Sequence, residues 1–556
     1  KLFKLFICFI IFCTCAVQAP PGGGPIDTSS PAVVKIFPEN NTANLDIQTE
    51  ISVTFSKYMN RMTVERSVFI SPQIEVDFRW KGKTLYIRPK ENLSKNVTYV
   101  LTIGSDARDL KNNSMEQSYS WAFSTGEYVD EGKISGKVFG ENDVSGILIY
   151  AFNVNINEEI NPETGLSDYT TQTDQNGRFK FNNISAGTYR LFAVRDINKN
   201  LLYDVEQDDI GIPCYDVTIE KEKNVIDNFF LKLTREDTTA PYLLSIEATN
   251  KNIIVLRASE NINSITLKYL PDYIYTLTEE EKIQIHAAVP DADEQSKIII
   301  YTSDQKPEVN YVLDISGLED NAGNRIEQKL ISFTGSLTAD TIMPYIVSII
   351  PEDSSDNVSL QTKVEIQFSE PVDSALVNRN VFLKDKDTKH ISGIFVWEND
   401  IKCVYSPNSP LIEDTEYTLS VNKEAVKDLQ GNSINRSYNY YFRTGELLSF
   451  GSLSGNIETD KHLQGDLIVI NLYESHTKKG TQQLITGNSF KIESLQPGTY
   501  ILSAYIDSKG DGVFYGGRSF PYKPSYRFTV FDEPVIIRPG WDNENVNLTF
   551  YSYNKK

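Results

Sequence analysis

Most of the chain is written in short runs that alternate apolar and polar residues, separated by turn-forming clusters. Ile51-Ser52-Val53-Thr54-Phe55, Leu85-Tyr86-Ile87 and Tyr99-Val100-Leu101-Thr102-Ile103 are typical, and a period of two places alternate side chains on a buried face of a strand. From Pro31 to Gly126 no stretch keeps a helical period, and about seven short strands in a segment of that size is the sequence pattern of a β-sandwich. One short capped helix is expected in the whole chain, at Thr276–Gln284 (T-L-T-E-E-E-K-I-Q).

The pattern repeats. Pro38-Glu39-Asn40 returns as Pro351-Glu352-Asp353, Val53-Thr54-Phe55-Ser56 as Ile366-Gln367-Phe368-Ser369, and Trp80 as Trp397. Thr98-Tyr99 matches Glu416-Tyr417, Asp109-Leu110-Lys111-Asn112-Asn113 matches Asp428-Leu429-Gln430-Gly431-Asn432, and Phe123-Ser124-Thr125-Gly126 matches Phe442-Arg443-Thr444-Gly445. A fixed order of matches at a nearly constant offset is an internal repeat. These residues resemble the SbsA-type bacterial Ig-like domain, which implies a β-sandwich over 31–126 and again over 344–446. Residues 241–335 carry the same late turn, Asp320-Asn321-Ala322-Gly323-Asn324, and end on Phe333-Thr334-Gly335. They read as a diverged third copy.

A second unit type follows two of the copies. Gly177-Arg178-Phe179-Lys180-Phe181 then Ala186-Gly187-Thr188-Tyr189 lies within 127–235, and Ser489-Phe490-Lys491-Ile492 then Pro497-Gly498-Thr499-Tyr500 within 447–552. This pairing resembles the transthyretin-like, carboxypeptidase-regulatory-like β-sandwich, an accessory fold without catalysis. The expected fold class is therefore all-β: a tandem array of five β-sandwich modules.

A five-residue motif, D-T-x-x-P, stands before each Ig-like unit: Asp27 to Pro31, Asp237 to Pro241 and Asp340 to Pro344. Each copy runs straight into a β-branched strand. Asp and Thr favour turns, and Pro is tolerated at a strand's first residue. The second unit type has no such hinge. Two Ig-plus-transthyretin pairs, each packed as one body, are expected, with bending at Asp237 and Asp340 and a semi-rigid rod overall.

The chain has 556 residues and a formal charge of −21. The length calls for several cores, and the acidity excludes a nucleic-acid partner, because no basic patch offers counterion release. Lys1 and Lys4 before the apolar Leu5–Val17 run mark residues 1–19 as an export signal, followed by a Pro- and Gly-rich tether over 20–30. Cys15, at the end of that run, is the expected lipidation site of a bacterial lipoprotein; cleavage after Ala19 is the alternative. Cys214 and Cys403 fall in different units and form no disulfide framework.

One loop has the spacing of a cation site. Asp196, Asn198, Asn200 and Asp204 put oxygens at positions 1, 3, 5 and 9 of an EF-hand-like loop, with calcium the candidate ion. Leu201 replaces the turn glycine and Gln207 the bidentate acid, so an Asx-rich turn without metal is the competing reading. Its repeat partner, Asp507 to Gly512, carries Lys509 at position 3. No other cofactor is expected.

Catalytic patterns are missing. The four histidines stand singly, and there is no G-x-S-x-G elbow or phosphate loop. Trp80 and Trp397, at one repeat position, read as packing residues rather than sugar platforms. The expected function is a non-catalytic envelope lipoprotein, an extended binding or scaffold arm at the outer membrane. Its partner would be an envelope protein or glycan, and its membrane contact the lipid anchor. The alternatives are a surface carbohydrate-binding protein and a hydrolase with a site at a module junction.

Overall fold

The computed structural model describes residues 27–551, apart from 158, 206, 277–280, 292–293, 447–448, 460–465, 476–479 and 511. Cys15 and the expected export signal over 1–19 lie outside the described residues.

The protein is all-β, with β-sandwiches following one another along the chain. In the first, the strands Val33–Phe37, Ile51–Phe55, Thr84–Pro89 and Val76–Lys81 form one sheet in that order. Val68–Ser71, Thr98–Ile103 and Tyr119–Ser124 form the other. Alternation does what it should: in Ile51–Phe55 the residues Ile51, Val53 and Phe55 are buried, with Ser52 and Thr54 between them. The fourth unit repeats the first sheet strand for strand, as Ile346–Ile350, Val364–Phe368, Lys402–Pro407 and Gly393–Asn399.

The third unit folds the same ingredients into one continuous seven-stranded sheet, whose two halves share a core around Ile254, Leu256, Tyr311 and Phe333. Two details recur in it from the first and fourth units. The ring stack Tyr99–Phe123 (5.8 Å, 28°) recurs as Tyr311–Phe333 (5.5 Å, 23°) and Tyr417–Phe442 (5.6 Å, 21°). Each of these tyrosines also accepts a backbone N–H from five residues earlier: Ser94, Lys306 and Ile412.

The second and fifth units share another topology, in which the last strand pairs parallel to the first. Val225–Lys232 lies along Gly132–Phe139, and Leu548–Phe550 along Gly451–Thr459. The G-T-Y motif also has a role here. Tyr189 donates its hydroxyl to the Ser185 carbonyl at 3.0 Å, and Tyr500 to that of Gln496 at 2.9 Å, which closes the preceding turn.

Three expectations change. Lys282–Pro290 is a strand, so the expected helix is not formed there; residues 277–280 lie outside the described residues. Ile283 pairs with Ile274 across a hairpin and both are buried, and that core contact overrides the acidic helix-like run. Short helices occur instead at Arg61–Arg66, Ser374–Asn380 and, as a 3₁₀ turn, Ser264–Tyr269. They were invisible as periodicity because none is longer than two turns.

The rod also gives way. The expected pairs do pack: Val100 and Ala122 of the first unit enter the core of the second, and Asn357 and Gln496 exchange hydrogen bonds between the fourth and fifth. But the fifth unit also returns to the second. The Tyr522 hydroxyl donates to the Pro213 carbonyl (2.9 Å), and the Ser519 N–H donates to Glu236 Oε1 (3.0 Å). Arg190 lies 3.6 Å over the Tyr522 ring, and Phe528 meets Phe139 edge-on at 5.9 Å. Arg518 reaches Asn324 of the third unit. Asp237 and Asp340, expected as hinges, are hydrogen-bonded into the units that follow them.

Candidate functional site

The repeated motifs, far apart in sequence, meet in space, and they meet three times. In each D-T-x-x-P the aspartate turns back on itself. Oδ1 of Asp27, Asp237 and Asp340 each accepts the N–H two residues on, at 3.0 Å. The residue after the proline then docks on the serine that follows the V-x-F strand or its counterpart. Ala32, Tyr242 and Tyr345 donate N–H to the hydroxyls of Ser56, Ser259 and Ser369 at 3.0–3.1 Å.

The late turn closes the site. Its first aspartate, Asp109, Asp320 or Asp428, accepts the N–H of the asparagine four residues on at 2.8–2.9 Å. That asparagine's amide donates to the aspartate's Oδ2 and reaches the linker carbonyl of Asp27 (2.9 Å), Asp237 (3.1 Å) or Asp340 (3.5 Å). Two carboxylates are thus held side by side, and the residue after the docking serine points between them.

In the first unit that residue is Lys57. Its Nζ stands 3.0 Å from Asp27 Oδ2 and 3.1 Å from Asp109 Oδ2. Burial pushes the Asp109 carboxyl up, but the hydrogen bonds from Asn113, Lys57 and Lys111 outweigh it and bring it down to about 2. Hydrogen bonds from Ser29 and Lys57 hold Asp27 well below the usual carboxylate range.

In the other two copies the same position is a glutamate. Asp237, Glu260 and Asp320 converge in the third unit and Asp340, Glu370 and Asp428 in the fourth, each set with oxygens within 4.8 Å of one another. The fourth-unit set is the buried one, at 9%, 5% and 4% exposure. Asp340 Oδ2, the counterpart of the oxygen that takes Lys57 in the first unit, has no hydrogen-bond partner. Burial and the charges of Asp428 and Asp340 push Glu370 up to about 8. Glu260 is raised for the same reasons, burial first and then its two aspartates.

The buried set lies at the junction of the third and fourth units. Ile401 of the fourth packs among Ile253, Val255, Ala287 and Tyr301 of the third. The phenol of Tyr301 is raised by burial and then by Glu370 and Asp340. Beside it a cleft of about 790 Å³ is lined by Asn252, His286, Asp304, Asp340, Asp400 and Gln430, among others.

The loop singled out by EF-hand spacing is brought together differently. Both oxygens of Asp196 accept backbone N–H groups, from Asn200 (3.2 Å) and Leu201 (2.8 Å). Asn198 and Asn200 turn their amide nitrogens, not their oxygens, toward Asp204 Oδ2, at 2.7 and 3.2 Å. Leu201 takes φ +62°, the left-handed conformation a glycine would supply at that position. The four residues therefore form a hydrogen-bonded Asx turn. Asp208, one place late for the twelfth position, is fully buried and accepts from Ile197 and Asp204. In the partner loop Asp507 likewise accepts three backbone N–H groups.

Other candidates fall into structural roles. Trp80 stacks on Phe55 (6.0 Å, 26°) and Trp397 on Phe368 (6.0 Å, 17°), and each indole N–H is bonded to the nearby short helix, at Glu65 and Asn378. Cys214 and Cys403 are free, and burial pushes both thiols up to about 12, which leaves them unreactive. His390 packs on Phe382 at 4.5 Å; His462 and His476 lie outside the described residues. The triads themselves had one sequence signal. The same column reads Lys57, Glu260, Glu370 between two aspartates that never change.

Comparison with known proteins identifies the repeated unit. A family model for the bacterial Ig-like domain matches residues 27–125 and 340–444, so both segments start at the D-T-x-x-P aspartate. No curated protein matches in sequence. Among solved structures, L,D-transpeptidase 3 from Mycobacterium tuberculosis is 13% identical over 26% of this chain and 46% of its own, with a TM-score of 0.14. The chain thus spans less than half of that structure. The N-terminal part of the bacterial S-layer protein SbsC is 15% identical over 30% and 42%, at 0.17. The E. coli alpha-2-macroglobulin matches 91% of this chain and 34% of its own at 10% identity and 0.14.

Proposed function

We propose that this chain is a non-catalytic scaffold of the bacterial cell envelope, exported and anchored at the outer membrane through Cys15. Ig-like and transthyretin-like units together would present a binding surface to an envelope protein or glycan. The observation that carries this reading is the return of the fifth unit onto the second. Interlocked sandwiches hold their surfaces at fixed separations, which a presenting framework needs and a flexible tether does not supply.

The alternatives fare unequally. A glycan-binding reading built on Trp80 and Trp397 loses both indoles to stacking and hydrogen bonds. A hydrolase reading has one support, the cleft between the third and fourth units. Of the carboxylates lining it, Asp304 is held below its ordinary range by Lys251 and Asn252, and Asp340 caps its own turn through Oδ1 alone.

The test is the state of the mature N-terminus in a Gram-negative host. Membrane-fraction protein whose N-terminal peptide begins at an acylated Cys15 is the expected result. Soluble protein beginning at Pro20 would overturn the anchored reading.

A further inference from the structure

We propose that Asp340, Glu370 and Asp428 form a calcium site that locks the start of the fourth unit beneath the third. Three carboxylates closed off from water carry a formal −3 that folding cannot leave unbalanced, because an unpaired buried charge is costly. The first unit shows how the same backbone device is neutralised. There the ammonium of Lys57 sits between the two aspartate Oδ2 atoms, so that point is a cation position by construction. In the fourth unit the built-in cation is replaced by a third carboxylate, and the vacated partner oxygen, Asp340 Oδ2, is buried and unpartnered.

Geometry and chemistry select the ion. The three ligand oxygens lie within 4.8 Å of one another, and oxygens sharing a calcium at roughly 2.3–2.6 Å stand up to about 5 Å apart. An all-carboxylate set favours a hard cation over transition metals. Gln430, two residues beyond Asp428, adds a second buried oxygen without a partner at the same cleft. The cleft gives a route from solvent. The third unit's set has the same composition but a more open one, with Asp237 exposed and Glu260 half-buried, and would hold calcium more weakly.

The experiment is calorimetric titration of the chelator-treated full chain with calcium chloride, with thermal unfolding alongside. Wild type is expected to take up calcium saturably and to melt at a higher temperature when loaded. Glu370→Gln, which keeps the shape and removes one charge, is expected to lose this site's uptake by about tenfold or more in affinity, since affinity follows ligand charge. Because that variant relieves repulsion in the calcium-free protein, it should remain folded. Asp196→Asn should leave uptake unchanged. No uptake by wild type would overturn the proposal, with the charge then balanced by a proton. Uptake unaffected by Glu370→Gln, or lost with Asp196→Asn, would overturn it equally.

Discussion

Replacing Gly516 by leucine should lift the fifth unit off the second and swell the molecule. Gly516 lies in the stretch that crosses to the second unit, and a Cβ there would run into the side chain of Thr234. The following residue, Gly517, has φ +87° and sits against Ile212 and the backbone of Lys523 and Ser525, so the stretch cannot slide aside. A branched side chain at 516 therefore has no room while the units are docked and ample room once they separate. What is lost is a patch of ring–ring and cation–ring contacts: Arg190 on Tyr522, Lys232 on Phe514 and Phe230 against Tyr551 at 5.6 Å. Small-angle scattering should record a larger radius of gyration, with the circular dichroism of the separate sandwiches intact. An unchanged radius would mean that the interface repacks, and that docking does not depend on this close approach.

Truncating Phe368 to alanine should cost the fourth unit about 3–5 kcal/mol, the range for a buried aromatic ring. Phe368 is 1% exposed and carries the stack that fixes Trp397. It also sets the next two residues: Ser369 Oγ accepts from the N–H of Tyr345, and Glu370 faces the two aspartates. Loss of the ring should therefore lower the urea midpoint of this unit's transition and blunt any calcium response, a coupling that a core residue elsewhere would not show. A cost below about 1 kcal/mol would mean that the cavity collapses around Trp397.

The sandwich architecture was legible because alternation and repetition are local signals. Ile51, Val53 and Phe55 announce a one-sided strand, and each matched motif in the two Ig-like copies falls on the same strand or turn. In the third unit D-N-A-G-N and F-T-G fall on a late turn and a closing strand, and Phe333 stacks on Tyr311 as Phe123 does on Tyr99. Helix at Thr276–Gln284 failed because Glu279, Glu280 and Glu281 resemble a first helical turn, whereas the pairing of Ile283 with Ile274 is decided across a hairpin.

The site was harder to read for a physical reason. Asp340 and Asp428 are brought together only by a closed sandwich, so no window of sequence contains both. The EF-hand spacing at Asp196 was legible as a local signal, whereas which atoms Asn198 and Asn200 turn toward Asp204 is fixed only in the folded loop. The return of the fifth unit rests on Arg518, Tyr522 and Phe528, scattered through a region with no repeated motif. What was visible in the sequence, a lysine in one copy and glutamates in two, becomes informative once the flanking aspartates are known to be neighbours.

That column provides the sharpest experiment. Glu370→Lys rebuilds in the fourth unit the arrangement that Lys57 makes in the first, with an ammonium between Asp340 and Asp428. If the three motifs form one device that needs a cation at its centre, the variant measured in chelator should melt above chelated wild type and show no further rise with calcium. A variant that melts below chelated wild type would contradict the account, as would one that still gains stability from calcium through the fourth unit.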